Sequence, residues 1–212
     1  CIQTTGAGAD AEPPELADGI IIDPGLGKNG TTFTVCFSAK EELDRDPIVQ
    51  VDTGAGLANL TRLQDIPALC NGSAWAYSYT ADISKDAAGT RVLSVNLVDK
   101  ALNPADGLVL GSFELDFLPP SLSSNLLSSS VASTSQGVTV DLVFSESLAG
   151  VPAVSMMAEG ETSDLNWSLD SATADQNFTF SYAPTGDETE TSYVISVRAE
   201  DPAGNVLETT LN

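Results

Sequence analysis

Two Asp–Asn pairs recur at matching places in the chain and are its clearest candidates for a chemical function. Asp99 precedes Asn103, and Asp201 precedes Asn205, with the same spacing. Asp and Asn in tight turns usually hydrogen-bond their own backbone or adopt left-handed conformations. Their oxygens also suit calcium, but calcium takes about six to eight oxygens and each pair supplies few. The spacing therefore predicts two structured hairpins, with calcium binding as the alternative.

The first cysteine, Cys1, is followed by a small, polar stretch that reaches Asp18 and contains Pro13 and Pro14. This stretch has no hydrophobic period and is typical of a spacer. A cysteine followed by such a spacer resembles the mature start of a bacterial lipoprotein, in which the cysteine carries the lipid. The resemblance implies an anchor without a transmembrane helix. A fragment that begins at a cysteine is the alternative.

The other two cysteines are Cys36 and Cys70. In an exported protein, two remaining cysteines most simply pair with each other. Zinc is disfavoured, because the chain has no histidine and two cysteines are too few for a zinc site. We expect a disulfide and no metal or other cofactor apart from the calcium alternative.

Composition argues against catalysis and against nucleic acid as a partner. Without histidine there is no Ser–His or Cys–His pair, and no carboxylate pair stands in a recognisable catalytic context. The 30 acidic and 8 basic residues give a net charge of −22, which repels phosphate backbones. The chain contains no run of about 20 apolar residues, so the sequence predicts no transmembrane helix. We predict a protein that is not an enzyme.

The elements that position these residues form an internal repeat. Alternating apolar and polar residues, typical of half-buried strands, appear in matched segments of the two halves. The matched segments are 20–22 with 126–127, 31–38 with 138–145, 47–51 with 152–156, 74–79 with 177–182, 92–99 with 194–201, and 108–117 with 206–211. About seven short strands per copy predict an all-β chain made of two tandem immunoglobulin-like, Greek-key β-sandwiches.

The expected organisation is a tail over 1–18, a first domain over 19–118 and a second domain over 119–212. Pro119 and Pro120 mark the join. The offset between matched residues falls from 107 at Phe37 to 102 at Asp99, so the first copy carries five extra residues. Part of this excess lies in 41–46 and part in 63–73. The second stretch contains Cys70, so a disulfide would hold a lengthened loop.

The second copy resembles the bacterial immunoglobulin-like repeats that occur in tandem arrays on large surface proteins. The resemblance rests on the segments 140–154 and 199–206 and covers about 122–212. The first copy departs from it, because 39–46 replaces a short loop and Leu102 replaces a turn glycine. The resemblance implies the fold and a location at the cell surface, whereas sandwiches serve many functions.

Aromatic rows occupy matching strands, with Trp75, Tyr77 and Tyr79 in the first copy. We expect these rows to lie in the core. Trp167 stands opposite Arg62 of the first copy, and we expect it to be exposed and available for contacts.

These observations favour a non-catalytic extracellular or cell-surface structural or adhesion module. We expect it to be bacterial, anchored to the outer membrane by lipid on Cys1, and to have protein partners. The alternative is a subunit of an ordered extracellular assembly, a filament or an accessory part of a membrane complex, whose partners include copies of itself. In that case the tail would dock on a neighbour, or Ile20, Ile21 and Ile22 would extend a neighbour's sheet. A carbohydrate-binding or hydrolytic module is the third hypothesis.

Overall fold

The computed structural model describes residues 10–158 and 165–211 of the chain, and Cys1 lies outside them. The described residues form β-strands and one short 3₁₀ helix, Ala68–Cys70, so the prediction of an all-β chain is confirmed. No helix within the described ranges is long and apolar enough to cross a membrane. The chain divides into two compact units, with the boundary between Asp116 and Phe117.

The first unit contains two sheets with strands of very different length. Its strands are Ile21–Asp23 (β1), Leu26–Gly27 (β2), Thr32–Phe37 (β3), Ile48–Asp52 (β4), Leu57–Asn59 (β5), Thr61–Arg62 (β6), Trp75–Thr80 (β7), Gly89–Val98 (β8) and Pro104–Leu115 (β9). One sheet has the order β1-β3-β7-β6, and the other has the order β2-β9-β8-β4-β5. Only the β2–β9 pair is parallel among these described strands.

The second unit repeats this plan with two four-stranded sheets. Its strands are Leu122–Leu127 (β10), Val138–Phe144 (β11), Ala153–Ala158 (β12), Leu165–Asn166 (β13), Ser168–Thr173 (β14), Asn177–Tyr182 (β15), Tyr193–Glu200 (β16) and Val206–Leu211 (β17). The sheet orders are β10-β11-β15-β14 and β13-β12-β16-β17. Strands therefore pair with their neighbours in the chain, and the chain crosses to the other sheet after each such pair, as it does in an immunoglobulin-type sandwich.

The expected count of about seven strands per copy is not confirmed. The described residues form nine strands in the first unit and eight in the second. The excess comes from two- and three-residue edge strands such as β2, β5 and β13. Segments this short carry no visible alternation of apolar and polar residues, so the sequence gives no signal for them.

The two sheets of the first unit share an aromatic core. Phe33 of β3 and Phe113 of β9 come from opposite sheets, and their ring centroids lie 3.9 Å apart. Tyr79 of β7 packs on the same Phe113 ring at 6.3 Å. Val35 and Phe37 lie on the inner face of β3 beside Phe33 and are completely buried. Alternation along β3 therefore directs every second side chain into the space between the sheets.

The core of the second unit is equally continuous. Val140 and Leu142 of β11 and Phe180 of β15 come from one sheet, and Val154 and Val197 come from the other. All five side chains are buried within one cluster. Burying an aliphatic or aromatic side chain contributes about 1.5–3 kcal/mol, so this shared cluster holds the two sheets together.

Strand β3 is buried along its inner face and, at Cys36, on its outer face as well, whereas Thr32 on the outer face is exposed. Cys36 points away from the Phe33 row, yet it is completely buried, because its disulfide with Cys70 fixes the loop that contains the 3₁₀ helix over the sheet. Ala76 is buried in the same cluster, and Ile21 and Leu63 pack against it. The expectation that a disulfide holds the lengthened loop of the first copy is confirmed.

The described part of the predicted spacer lies along the first unit. Leu16 forms an antiparallel bridge with Ala39, just beyond the end of β3. The backbone amide of Lys40 donates to the Glu15 carbonyl at 2.9 Å. Pro14 is buried against the unit. The segment from Asp10 to Asp18, which we call the docked segment, therefore adds a further stretch of backbone pairing alongside the continuation of β3.

Replacing both Cys36 and Cys70 with alanine should destabilise the first unit by about 3–4 kcal/mol. The disulfide closes a loop of 34 residues, and opening it restores conformational entropy to the unfolded chain. Urea unfolding followed by circular dichroism and by Trp75 fluorescence in a Trp167→Phe background would measure the change. The transition of the second unit is the internal control and should not move. An unchanged first-unit transition would show that the outer cluster holds without the bond.

Candidate functional site

The first Asp–Asn pair closes the hairpin between β8 and β9. The backbone amide of Asn103 donates to Asp99 Oδ1 at 2.8 Å, and Asn103 Nδ2 donates to Asp99 Oδ2 at 2.8 Å. The Asp99 amide returns a bond to the Asn103 carbonyl at 3.2 Å, and the Leu102 amide donates to the Asp99 carbonyl at 3.1 Å. One aspartate therefore fixes both the backbone and the side chain of the residue four positions later.

The second pair has the same geometry between β16 and β17. Both oxygens of Asp201 accept from Asn205, one from its backbone amide and one from Nδ2, each at 2.8 Å. The Asp201 amide donates to the Asn205 carbonyl at 3.1 Å. The Gly204 amide donates to the Asp201 carbonyl at 3.0 Å. The recurrence of every bond supports the hairpin-structuring interpretation of both pairs.

Both aspartates are almost completely buried, and each is 1% exposed. Burial raises the pKa of the Asp99 carboxyl, but hydrogen bonds from Asn103 and from the amides of the turn outweigh it. The net result is a pKa below the ordinary value for aspartate. Asp99 therefore remains a carboxylate in its hairpin at neutral pH, where it strengthens the hydrogen bonds that it accepts.

The turn residue before each asparagine adopts a left-handed backbone. Gly204 has φ of 89°, which glycine adopts without steric cost. Leu102 has φ of 70° in the first unit, although a leucine side chain disfavours this region, and it is 64% exposed. The Asp99 bonds hold the turn in the same conformation in spite of this residue. The hairpin geometry is thus set by the Asp–Asn pair rather than by glycine.

Asn103 also has a second role, because it binds the docked segment. Its Nδ2 lies 3.2 Å from the Asp10 carbonyl and 3.3 Å from the Glu12 carbonyl. Carboxylate oxygens of Asp10, Glu41 and Asp99 come within 4.8 Å of one another beside it. Burial, followed by the charges of Asp99 and Asp10, raises the pKa of Glu41. This acidic group has the oxygen chemistry of a cation site, but both oxygens of Asp99 already accept hydrogen bonds.

The structure places the proposed docking residues inside the first unit. Ile21 and Ile22 belong to the edge strand β1 and pair with Cys36 and Val35 of β3, while Ile20 precedes the strand. Ile22 also approaches Gly111 of β9. One edge of this strand is therefore used within its own sheet. The predicted lipid site, Cys1, lies outside the described residues.

The expectation that Trp167 is exposed is wrong. Its side chain is only 7% exposed and belongs to the core cluster of the second unit. Trp167 lies between β13 and β14, where the chain passes from one sheet to the other, so its side chain turns inward. The comparison with Arg62 misled, because Arg62 lies on the short edge strand β6, where it is exposed and pairs with Asp46.

A polar cluster that the sequence analysis did not find holds the loop before β16. The Glu188 carboxylate accepts bonds from the Tyr182 hydroxyl at 2.6 Å and from the amides of Thr185 and Gly186. Hydrogen bonds from Thr185 and Tyr182 lower the pKa of Glu188 to about 2. Nothing in the spacing of these residues signals the cluster, because it depends on where β15 ends relative to the loop.

Comparison with known proteins gives no function for this chain. No family model matches the chain, and no curated protein matches it. Among solved structures, the chain is similar to a three-domain immunoglobulin segment of titin, I67–I69, in an E-to-A mutated variant. The identity is 10% and the TM-score is 0.35, over 93% of this chain and 64% of the titin chain. The chain thus spans a little less than two thirds of that structure.

Replacing Asp201 with alanine should destabilise the second unit by about 2–3 kcal/mol. The change removes two hydrogen bonds to a buried charge and leaves the Asn205 donors without their acceptors. Urea unfolding in a Trp75→Phe background, with Trp167 as the only tryptophan, would measure it by fluorescence excited at a wavelength that tyrosine does not absorb. The exposed carboxylate of Asp187 offers a matched control, and Asp187→Ala should change stability little. Equal effects of the two substitutions would contradict the role of the hairpin bonds.

We expect calcium to produce no saturable binding heat and no change in melting temperature. The oxygens of Asp99 and Asp201 that would bind it already accept bonds from Asn103 and Asn205. Isothermal titration with calcium chloride, repeated with magnesium at matched ionic strength, would separate a site from general screening of the −22 charge. Saturable calcium binding that Glu41→Gln abolishes would instead establish a site at the acidic group of the first unit.

Proposed function

We propose that the chain is a non-catalytic structural or adhesion module at a bacterial cell surface, held by lipid on Cys1. In this proposal both units are tandem immunoglobulin-like sandwiches of the kind found in bacterial surface repeats. The observation that carries the proposal is the use of the recurring polar pairs. Each aspartate is hydrogen-bonded to the asparagine of its own hairpin, Asp99 to Asn103 and Asp201 to Asn205. The polar residues that the two copies share therefore stabilise the fold.

The docked segment suits an anchor at the N-terminal side. Tension from Cys1 would enter the first unit where Glu15 and Leu16 pair with the chain beside Ala39. That backbone is continuous with β3, the strand whose inner face lies in the core and whose Cys36 is bonded to Cys70. The Lys40–Glu15 ion pair at 2.6 Å is exposed and adds little. The backbone pairing and the disulfide would carry the load.

An oxidising location is consistent with the disulfide. Disulfides persist outside the cytoplasm and are rare within it, and Cys36 and Cys70 are bonded and completely buried. The excess of 30 acidic over 8 basic residues supports a soluble surface that avoids nucleic acid. The partners proposed here are therefore proteins or cell-surface polymers rather than nucleic acid.

Native mass analysis of the N-terminal peptide tests the anchor. A lipid on Cys1 should add the mass of a diacylglyceryl group and place the protein in the detergent phase of a detergent partition. Cys1→Ser should release the protein into the aqueous phase without changing its circular dichroism. An unmodified Cys1 in protein from the native host would exclude the lipid anchor.

A second candidate, a subunit of an ordered extracellular assembly, is favoured by one edge strand. Strand β10 lies at the edge of its sheet and contains no charged residue and no proline, although acidic residues are frequent elsewhere. Leu126 in this strand is 66% exposed. Natural sandwiches usually protect long edges with charge, proline or a bulge. The register of β10 is irregular only between Leu122 and Ser124, so the uncharged stretch from Ser124 to Leu127 suits pairing with another copy.

Leu126→Lys should prevent such pairing, because it places a charge on the edge without disturbing the core. Val194→Lys is the matched control, since Val194 is 51% exposed on the internal strand β16. Sedimentation velocity and electron microscopy at increasing concentration would compare the two variants with the wild type. Assembly in the wild type and in Val194→Lys, but not in Leu126→Lys, is the expected pattern. A wild type that stays monomeric at all concentrations would reject assembly of copies through this edge.

A further inference from the structure

The last strands of the two units differ in length beyond one matched pair of residues. In the first unit, Leu93 of β8 pairs with Gly111, and β9 continues for four more residues to Leu115. In the second unit, the matching residue of β16 is Ile195, and it pairs with Leu211 at the end of β17. The first unit therefore has a strand end that the described residues of the second unit lack.

This strand end completes the core of the first unit. Phe113 is 1% exposed, stacks on Phe33 and packs against Tyr79 of the opposite sheet. Leu115 follows two residues later on the same face and is 2% exposed. Leu93 on the neighbouring strand is completely buried. Two apolar side chains at alternate positions of one strand thus close this end of the first sandwich.

The matching end of the second unit is open. A cavity of about 680 Å³ lies there, and Val138 and Trp167 are part of its wall. Tyr193 and Ile195 of β16 line it as well. Ile195 is only half-buried, whereas Leu93, its match in the first unit, is completely buried. We call this space the copy-two cavity.

The backbone of β16 is open at the same place. Tyr193 and Val194 pair with Ala158 and Met157 of β12 on one side. On the other side, the pairing with β17 begins only at Ile195, so no described residue pairs with Tyr193 and Val194 there. An extended chain can pair with such an edge through main-chain hydrogen bonds and direct alternate side chains into the space beside it.

The charge of the rim restricts the polar residues of such a chain. Glu188 and Glu190 line the cavity, and none of the described residues around it is Lys or Arg. Hydrogen bonds from Thr185 and Tyr182 lower the pKa of Glu188 to about 2, so its charge persists at neutral pH. The net charge of −22 also opposes the approach of a second copy. Lys or Arg beside the apolar residues would complement this rim.

We propose that the copy-two cavity and the open edge of β16 bind an extended segment of a partner protein. The segment carries two large apolar residues separated by one residue, with Lys or Arg beside them. It continues the line of β17, and its apolar side chains take the places that Phe113 and Leu115 occupy in the first unit. This binding goes beyond the proposed anchor, and it is separate from pairing through β10, which belongs to the other sheet.

Peptides taken from the end of β9 provide the probe. Residues 111–116, Gly-Ser-Phe-Glu-Leu-Asp, contain the apolar pair, and Glu114→Lys with Asp116→Lys gives a lysine peptide of complementary charge. The lysine peptide should bind the ¹⁵N-labelled 212-residue chain saturably, with a Kd below about 1 mM, and shift the amide signals of Tyr193–Ile195. The unchanged peptide should bind more weakly, and high salt should reduce the difference.

Two controls accompany the lysine peptide. Adding Phe113→Ser and Leu115→Ser to it should weaken binding by more than about tenfold, because the apolar side chains are lost. The amide signals of Arg91–Leu93 should stay in place, because β9 already pairs with that part of β8. Equal binding of the serine-substituted peptide would overturn the proposal.

An extended chain tests the place of binding. Asn212 matches Ser112, so adding Phe-Lys-Leu-Lys after Asn212 puts the apolar pair where the first unit has its own. The extension should raise the urea midpoint of the second unit, followed by Trp167 fluorescence in a Trp75→Phe background, and abolish binding of the lysine peptide. Adding Ser-Lys-Ser-Lys is the matched control and should do neither.

The remaining outcomes each decide against the proposal. A lysine peptide that shows no saturable binding to the unextended chain would reject it, whatever the extension does to stability. Binding that survives the Phe-Lys-Leu-Lys extension would place the peptide elsewhere on the molecule. Self-association of the unextended chain that this extension abolishes, measured by sedimentation velocity, would assign the cavity to a second copy rather than to a partner protein.

Discussion

The burial of strand β3 along its inner face and, at Cys36, on its outer face is the constraint on which the first unit depends. Its inner face carries Phe33, which stacks on Phe113 across the sandwich. Its outer face carries Cys36, which the disulfide to Cys70 covers with a loop. A strand in an antiparallel sandwich normally leaves one face to solvent. Here the second burial fixes the lengthened loop, and the continuation of the same strand pairs with the docked segment.

The two units show how a repeat can keep one interaction and change its surroundings. The Asp99–Asn103 and Asp201–Asn205 bonds are superimposable in kind and length. In the first unit the same asparagine side chain also reaches the backbone of Asp10. The strong Asp–Asn geometry explains how that turn holds Leu102 in a conformation that favours glycine. The first unit therefore differs from the second in the contacts around this hairpin, while the hairpin itself is the same in both units.

The two units also differ in how their loops are used. In the first, extra chain length is used to cover a sheet face and to hold the N-terminal side. In the second, the loops above β11 and β16 enclose a cavity, and the indole of Trp167 lacks an acceptor within the described residues. A structural role accounts for the first arrangement. The second unit leaves this volume open instead.

The sequence by itself determined the all-β class, the repeat and the disulfide. Alternation in segments such as Val138–Phe144 leaves one pattern of burial. Of the three pairings that three cysteines allow, the sequence favoured Cys36–Cys70, because Cys1 was expected to carry lipid. Tertiary structure alone decided the burial of Trp167, the two-residue strands and the docked segment. Trp167 turns inward because the chain changes sheets there, and the docked segment finds its partners at Ala39 and Asn103, far along the chain. Local alternation reports which face of a strand is buried, but it carries no information about where a loop or a terminus meets a distant strand.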